Sequence, residues 1–179
     1  MRNLHPIGKG ALMPLAMRKI ALVLLLVTAP IAACAQSAPQ LPGSSLRGEA
    51  TFRYLGFPLY DARLFTPGGA ALDWAKPFAL ELRYRRNLTQ FDLVESTMRE
   101  LKRTGGAIDV RDGLTRCFKD VRKGDRFTAV AKAKNTIGFW LNGQATCTLD
   151  HPNISRRFME IFLGEKTRSK SFTRALKAG

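Results

Sequence analysis

The sequence predicts an α+β domain in which a large antiparallel sheet is covered on one face by helices. Three observations carry that expectation. Thr136–Leu141 and Gln144–Leu149 are β-prone runs joined by Asn142-Gly143. Both central residues of a two-residue hairpin turn need positive φ, and Asn and Gly tolerate it best. A helix start follows at once, Asp150-His151-Pro152, with Asp150 as the expected cap. Ile154, Phe158, Ile161 and Phe162 then recur at helical spacing up to an expected stop at Gly164, so an apolar helical face must be laid on the sheet. Between Phe78 and Arg85, finally, Phe78, Leu80, Leu82 and Tyr84 alternate with Glu81, Arg83 and Arg85, the pattern of a sheet with one covered and one wet face.

Taken in order, the chain opens with an export signal over 1–35. Arg2, Lys9, Arg18 and Lys19 form a positive region without acids, Ile20 to Val27 is an unbroken apolar run of eight residues, and Ala29 to Ala35 is small and proline-broken. Such a run is too short to span a bilayer, where about 20 residues are needed. Met1 and Met17 are both possible starts. Two processing readings stay open: Ala33-Cys34-Ala35 is a signal-peptidase site that frees a soluble product from Gln36, and Ile31-Ala32-Ala33-Cys34 resembles a lipobox in which Cys34 is acylated. The expected location is periplasmic or secreted, with Cys34 as a candidate anchor.

Residues 36–45, rich in Ser, Pro and Gly, read as a linker, and 46–179 as one domain. Strands are expected over Glu49–Tyr54, Leu59–Phe65, Phe78–Arg85 and Arg126 to about Lys132, with a break at Gly56-Phe57-Pro58. Thr89-Gln90-Phe91-Asp92 resembles a capping box. It opens a helix whose apolar stripe is Phe91, Val94, Met98 and Leu101, with Glu95 and Arg99 spaced for an ion pair and Gly105-Gly106 as its end. Asp109–Gly113 reads as loop, Leu114–Val121 as a short helix, and Phe172–Lys177 as a last helix started by Ser169 or Ser171.

The net charge is +15; removal of the signal leaves 25 bases against 14 acids. Outside the cytoplasm such a protein meets anionic lipid and acidic polymers more often than nucleic acid, and no nucleic-acid-binding signature accompanies the charge. An anionic envelope surface is therefore a candidate partner; the oligomeric state is left open. Cys117 and Cys147 remain after processing and are either bridged, as exported pairs often are, or buried as small apolar thiols.

A metal site is not expected. His151, the one histidine outside the signal, stands at a helix start, and no carboxylates fall at metal-motif spacing. P-loop, dinucleotide and serine-hydrolase motifs are absent, and no cofactor is expected. What remains is a set of Arg and Tyr on strands: Arg53, Tyr54, Tyr60, Arg63, Arg83, Tyr84 and Arg85. Under a helix such groups can hold a carboxylate or phenolate at the mouth of an apolar cleft; otherwise the tyrosines are core or rim packing and the arginines surface.

Gly48-Glu49-Ala50, Gly56-Phe57-Pro58-Leu59-Tyr60-Asp61-Ala62-Arg63-Leu64, Leu82-Arg83-Tyr84, Val121-Arg122-Lys123-Gly124-Asp125, Leu141-Asn142-Gly143 and Phe158–Thr167 together resemble the bacterial chalcone isomerase-like family, over about Leu46 to Leu176. The resemblance implies an open-faced β-sandwich, a large antiparallel sheet with helices on one face and a ligand cleft between them. It also implies departures from the plant isomerases. Phe91 stands where they place a Tyr, Met98 where they place an Asn, and Leu59 or Tyr60 near their Thr; Arg53 or Arg47 matches the catalytic Arg. Without those polar groups the network that stabilises developing charge is missing. Related non-catalytic members bind fatty acids. The expected function is thus non-catalytic binding of a small apolar anion such as a fatty acid, lined by Arg53, Tyr60, Tyr84, Phe91 and Met98. The alternatives are an isomerase, an intramolecular lyase using Arg53 for charge stabilisation and Tyr60 for proton handling, and an envelope interaction protein without a small ligand.

Overall fold

The computed structural model describes Ala38 and residues 40–178. The signal, the cleavage site and Cys34 lie outside the described residues. Six strands, β1 (Ser44–Tyr54), β2 (Phe57–Pro67), β3 (Phe78–Tyr84), β4 (Arg126–Ala133), β5 (Thr136–Leu141) and β6 (Gln144–Asp150), form one sheet. Their spatial order is their sequence order, and every neighbouring pair is antiparallel. Four helices, α1 (Gln90–Gly105), α2 (Arg111–Cys117), α3 (Ile154–Leu163) and α4 (Lys170–Ala178), pack on it. The inner sheet face and the helices share one core, in which Leu64, Leu80, Phe139, Leu101, Met159, Leu163 and Leu176 are wholly buried.

The β5–β6 turn forms on Asn142 (φ 51°) and Gly143 (φ 84°), as the sequence predicts. The same backbone recurs between β1 and β2, on Leu55 (φ 50°) and Gly56 (φ 83°). The turn therefore ends before Phe57, and Phe57 and Pro58, expected in a break, belong to β2. The first strand begins at Ser44, five residues before the expected Glu49. Arg47 extends its pairing to the far end of the chain, Nε and Nη2 donating to the carbonyls of Lys177 and Ala178 at 3.0 and 2.9 Å. Gly48 lets α4 approach, since a Cβ there would stand 2.6 Å from the carbonyl oxygens of Ala175 and Leu176. The stretch expected as a linker is packed where it is described: Ala38 and Ser44 are buried.

The capping box of α1 is present, with Thr89 and Asp92 bonded reciprocally. Its Glu95 pairs with Arg111 instead of Arg99. The second helix spans Arg111–Cys117, starting three residues and ending four residues earlier than expected. It stops because Phe118 is extended and Val121 pairs with Leu88 as an isolated bridge. Gly113, expected in a loop, is in this helix, and its lack of a side chain lets the helix lie against β6, since a Cβ there would collide with Leu149. Asp150 does not cap α3. It ends β6 and accepts from the Thr136 hydroxyl at 2.6 Å, while Asn153, at φ 58°, is the capping position. Gly164 closes α3 and Ser169 Oγ accepts from the Phe172 N–H at the start of α4.

The outer sheet face is mostly charged. Arg63 stands 3.8 Å from Glu49 and 3.7 Å from Glu81, contacts of charge and not hydrogen bonds, and Arg85 pairs with Asp61 at 2.7 Å. A small apolar cluster of Phe65, Ala79 and Val130 on this face is covered by Ala38, with Leu41, Leu46 and Trp140 at its edge.

Candidate ligand cleft

A cleft of about 120 Å³ lies between the inner sheet face and α1, α3 and α4. Register builds its floor. Phe52 of β1 faces Tyr60 of β2, and Tyr60 faces Tyr84 of β3, so three aromatic rings stand in a row across three strands. Phe52 stacks on Tyr60 with centroids 5.2 Å apart, and Tyr84 meets Tyr60 edge-on at 6.2 Å. The helices add Phe162 and Phe172, both edge-on to Tyr60 at 6.3 and 6.1 Å. Leu82, Phe127 and Phe158 complete the apolar wall. Edge-to-face contacts of this kind fix ring orientation beyond simple burial.

The polar groups gather on one side, Ser96, Thr97 and Glu100 from α1 and Thr167, Arg168 and Ser169 from the loop before α4. Glu100 is buried and ion-paired twice. Its Oε2 accepts from Arg103 Nε and Nη2 at 3.0 and 2.6 Å, and its Oε1 faces Arg168 as an ion pair without an aligned hydrogen bond. Burial opposes ionisation of Glu100, but the hydrogen bonds from Arg103 and the charges of Arg103 and Arg168 outweigh it and hold the carboxyl below the usual glutamate range. Arg168 remains exposed enough to meet solvent and a ligand head.

Both cleft tyrosines are phenols and stay so. Burial, then the neighbouring Tyr84, raises the Tyr60 hydroxyl well above the ordinary tyrosine value despite Arg168, and burial alone does the same for Tyr84. Neither is poised to accept a proton near neutrality. A protonated phenol beside an apolar wall can donate a hydrogen bond to a carboxylate.

Of the residues picked from the sequence, the structure brings Tyr60 and Tyr84 together in the cleft, and the others stand elsewhere. Arg53 is exposed beside the β1–β2 turn, where Nη1 donates to the Gly56 carbonyl at 3.3 Å. Arg47, the other candidate for the catalytic Arg, clamps the C-terminal helix. Phe91 is 70% exposed on the first turn of α1. Met98 packs against the core without lining the cleft. The cause is rotation of α1: its inward face runs through Leu93, Val94, Thr97, Glu100 and Leu101, and the cleft takes Leu93, Ser96, Thr97 and Glu100. The guanidinium at the cleft is Arg168, which in the sequence is one of many C-terminal bases. One signal could have found it: Glu100 sits beside Leu101 on the buried side of an amphipathic helix, and a buried carboxylate requires a cationic partner.

Cys117 at the end of α2 and Cys147 on β6 form a disulfide, with Cα atoms 5.0 Å apart. Among the described residues no group of His, Cys, Asp and Glu is placed to hold a metal, and no helix is long and apolar enough to cross a membrane.

A crystal structure of an Arabidopsis thaliana fatty-acid binding protein superposes on the chain with a TM-score of 0.60, covering 79% of this chain and 95% of that one at 12% identity. The two proteins share the fold. No family profile matches the sequence, and no curated protein matches it. At this identity the likeness establishes the architecture, an open six-stranded antiparallel sheet with helices packed on it, and leaves the site to be argued from its own residues.

Proposed function

We propose that the chain is an exported, non-catalytic member of the bacterial chalcone isomerase-like family that binds a single-chain carboxylate, such as a fatty acid, in the cleft. The observation that carries the ligand class is the pairing of an aromatic and aliphatic wall with one accessible guanidinium, Arg168, at its polar side. A small set of polar groups on a mainly apolar pocket is the usual form of a site for an amphiphile. Arg168 and the Tyr60 phenol would hold the carboxylate, and the rings of Phe52, Phe162 and Phe172 the tail. An apolar cavity of about 150 Å³ accepts benzene, so the 120 Å³ of this open cleft suits a stretch of acyl chain, with the remainder lying toward the mouth. The plant neighbour, a fatty-acid binding protein, supports the same ligand class.

The isomerase alternative is less well supported. Arg53 stands outside the cleft, and Tyr60, which lines it, is held protonated and can donate a proton but is not poised to accept one. Export is supported by the positive and apolar segments of 1–35 and by the Cys117–Cys147 bond, since disulfides persist in oxidising compartments. Organic extraction of protein purified without detergent, followed by mass spectrometry, tests the ligand class. A carboxylic acid recovered in near-equal amount with the protein is the expected result; neutral lipid in that ratio, with no acid, would overturn it.

A further inference from the structure

Antiparallel order brings the β1–β2 turn, the β5–β6 turn, the exit of β3 and the start of β4 to one end of the sheet. The two turns share a backbone and differ in chemistry. Asn142-Gly143 is the polar pair that positive φ favours. At the β1–β2 tip a leucine, Leu55, occupies the same left-handed position at φ 50°, where a bulky side chain is disfavoured. Nothing in the fold is gained by it: Leu55 is 80% exposed, with Tyr54 52% and Phe57 65% exposed on either side. Three large apolar side chains thus project together from a tight turn.

Around them stand exposed bases. Arg53 adjoins the tip; Arg85 and Arg86 leave β3 at the same end, tied to β2 by the Arg85 N–H donating to the Leu59 carbonyl at 2.9 Å. Arg122 and Lys123 are held beside them, the Gly124 N–H donating to the Tyr84 carbonyl at 2.8 Å and the Lys123 N–H to Asn87 Oδ1 at 2.9 Å. The carboxylates at this end are already engaged: Asp61 by Arg85, Asp125 by the Arg122 N–H and the Asn142 amide, and Asp120 by the Gln90 N–H. The result is an apolar tip inside a basic belt.

We propose that this end of the sheet docks on an anionic phospholipid bilayer, with Tyr54, Leu55 and Phe57 entering the headgroup–acyl boundary and the belt of Arg86, Arg122 and Lys123 meeting lipid phosphates. An apolar wedge flanked by bases is the arrangement that interfacial binding rewards, and guanidinium groups match phosphate oxygens in pairs. The inference stands on exposure, backbone and charge, independently of what the cleft holds.

Co-sedimentation of the full chain with vesicles of phosphatidylcholine alone, or of phosphatidylcholine with phosphatidylglycerol, tests it. Three proteins are compared, wild type, Leu55→Asn with Phe57→Ser, and Arg86→Glu with Lys123→Glu, each first checked for an unchanged thermal midpoint. All share the same N-terminal segment, so differences report the tip and the belt. The expected result is preference of the wild type for the anionic vesicles, a loss of about ten-fold or more in the tip variant, and a similar loss in the charge variant. Undiminished sedimentation of the tip variant would overturn the proposal. So would a wild-type dimer that the tip variant dissolves while vesicle binding is unchanged, which would assign the tip to a second copy of the chain.

Discussion

Replacing Phe158 by Ala, with Phe91→Ala as its companion, tests how the helices are laid on the sheet. Phe158 is 4% exposed and meets Phe139 edge-on at 5.2 Å, with Phe162 and Phe118 at 5.9 and 6.4 Å. Truncating such a ring loses burial and leaves a cavity, at a cost of about 3–5 kcal/mol. Unfolding entropy is about 2.1 cal/mol/K per residue, hence about 0.3 kcal/mol/K for a domain of roughly 140 residues. The thermal midpoint should therefore fall by roughly 10–17 °C. Phe91, 70% exposed, should cost no more than about 0.5 kcal/mol, a shift under about 2 °C. The assay is thermal unfolding followed by near-ultraviolet circular dichroism, with the disulfide intact in every sample. Equal shifts, or a larger one for Phe91, would refute the rotation assigned to α1 and with it the set of cleft residues.

Reduction of Cys117–Cys147 should add two hydrogens to the intact mass and lower stability by about 3–4 kcal/mol, the chain-entropy value for a loop of 30 residues; free thiols in protein isolated under oxidising conditions would reject the bond. Glu100→Gln should destabilise at neutral pH, measured by denaturant midpoint. Because the folded carboxyl lies below its ordinary value, its contribution is complete above the unfolded value of about 4.3 and is lost as pH falls through the lower folded value. The gap between wild type and variant should accordingly close in acid, and a gap that widened there would contradict the pairing with Arg103 and Arg168.

The fold is legible in the sequence because its signals are local. Asn142-Gly143, the Thr89–Asp92 capping box, the alternation of β3 and the spacing of Phe158, Ile161 and Phe162 each depend on neighbours within a few residues. The departures share the opposite property. Leu55 in a left-handed turn, Gly113 inside a helix and Gly48 under α4 escape local rules, and the two glycines are set by contacts far along the chain, with Leu149 in one case and Ala175 and Leu176 in the other. The cleft is half legible. Tyr60 and Tyr84 follow from strand alternation, whereas hydrophobic spacing counts Phe91 and Met98 as apolar and therefore inward. A stripe centred on Leu93, Thr97 and Glu100 contains polar residues because it faces a polar-sided cleft, which defeats a rule built on hydrophobic spacing. Arg168 has no local signal at all; it is drawn inward by a carboxylate 68 positions earlier.

Isothermal calorimetry of a saturated fatty acid such as laurate against wild type, Arg168→Ala and Arg53→Ala addresses the central claim, that the cleft holds an apolar carboxylate by its head at Arg168. A charge-assisted hydrogen bond contributes about 1.5–3 kcal/mol, so the wild type should bind one molecule and Arg168→Ala should bind it about ten- to hundred-fold more weakly. Arg53→Ala should match the wild type. Absence of binding to the wild type, or a loss confined to Arg53→Ala, would contradict the claim.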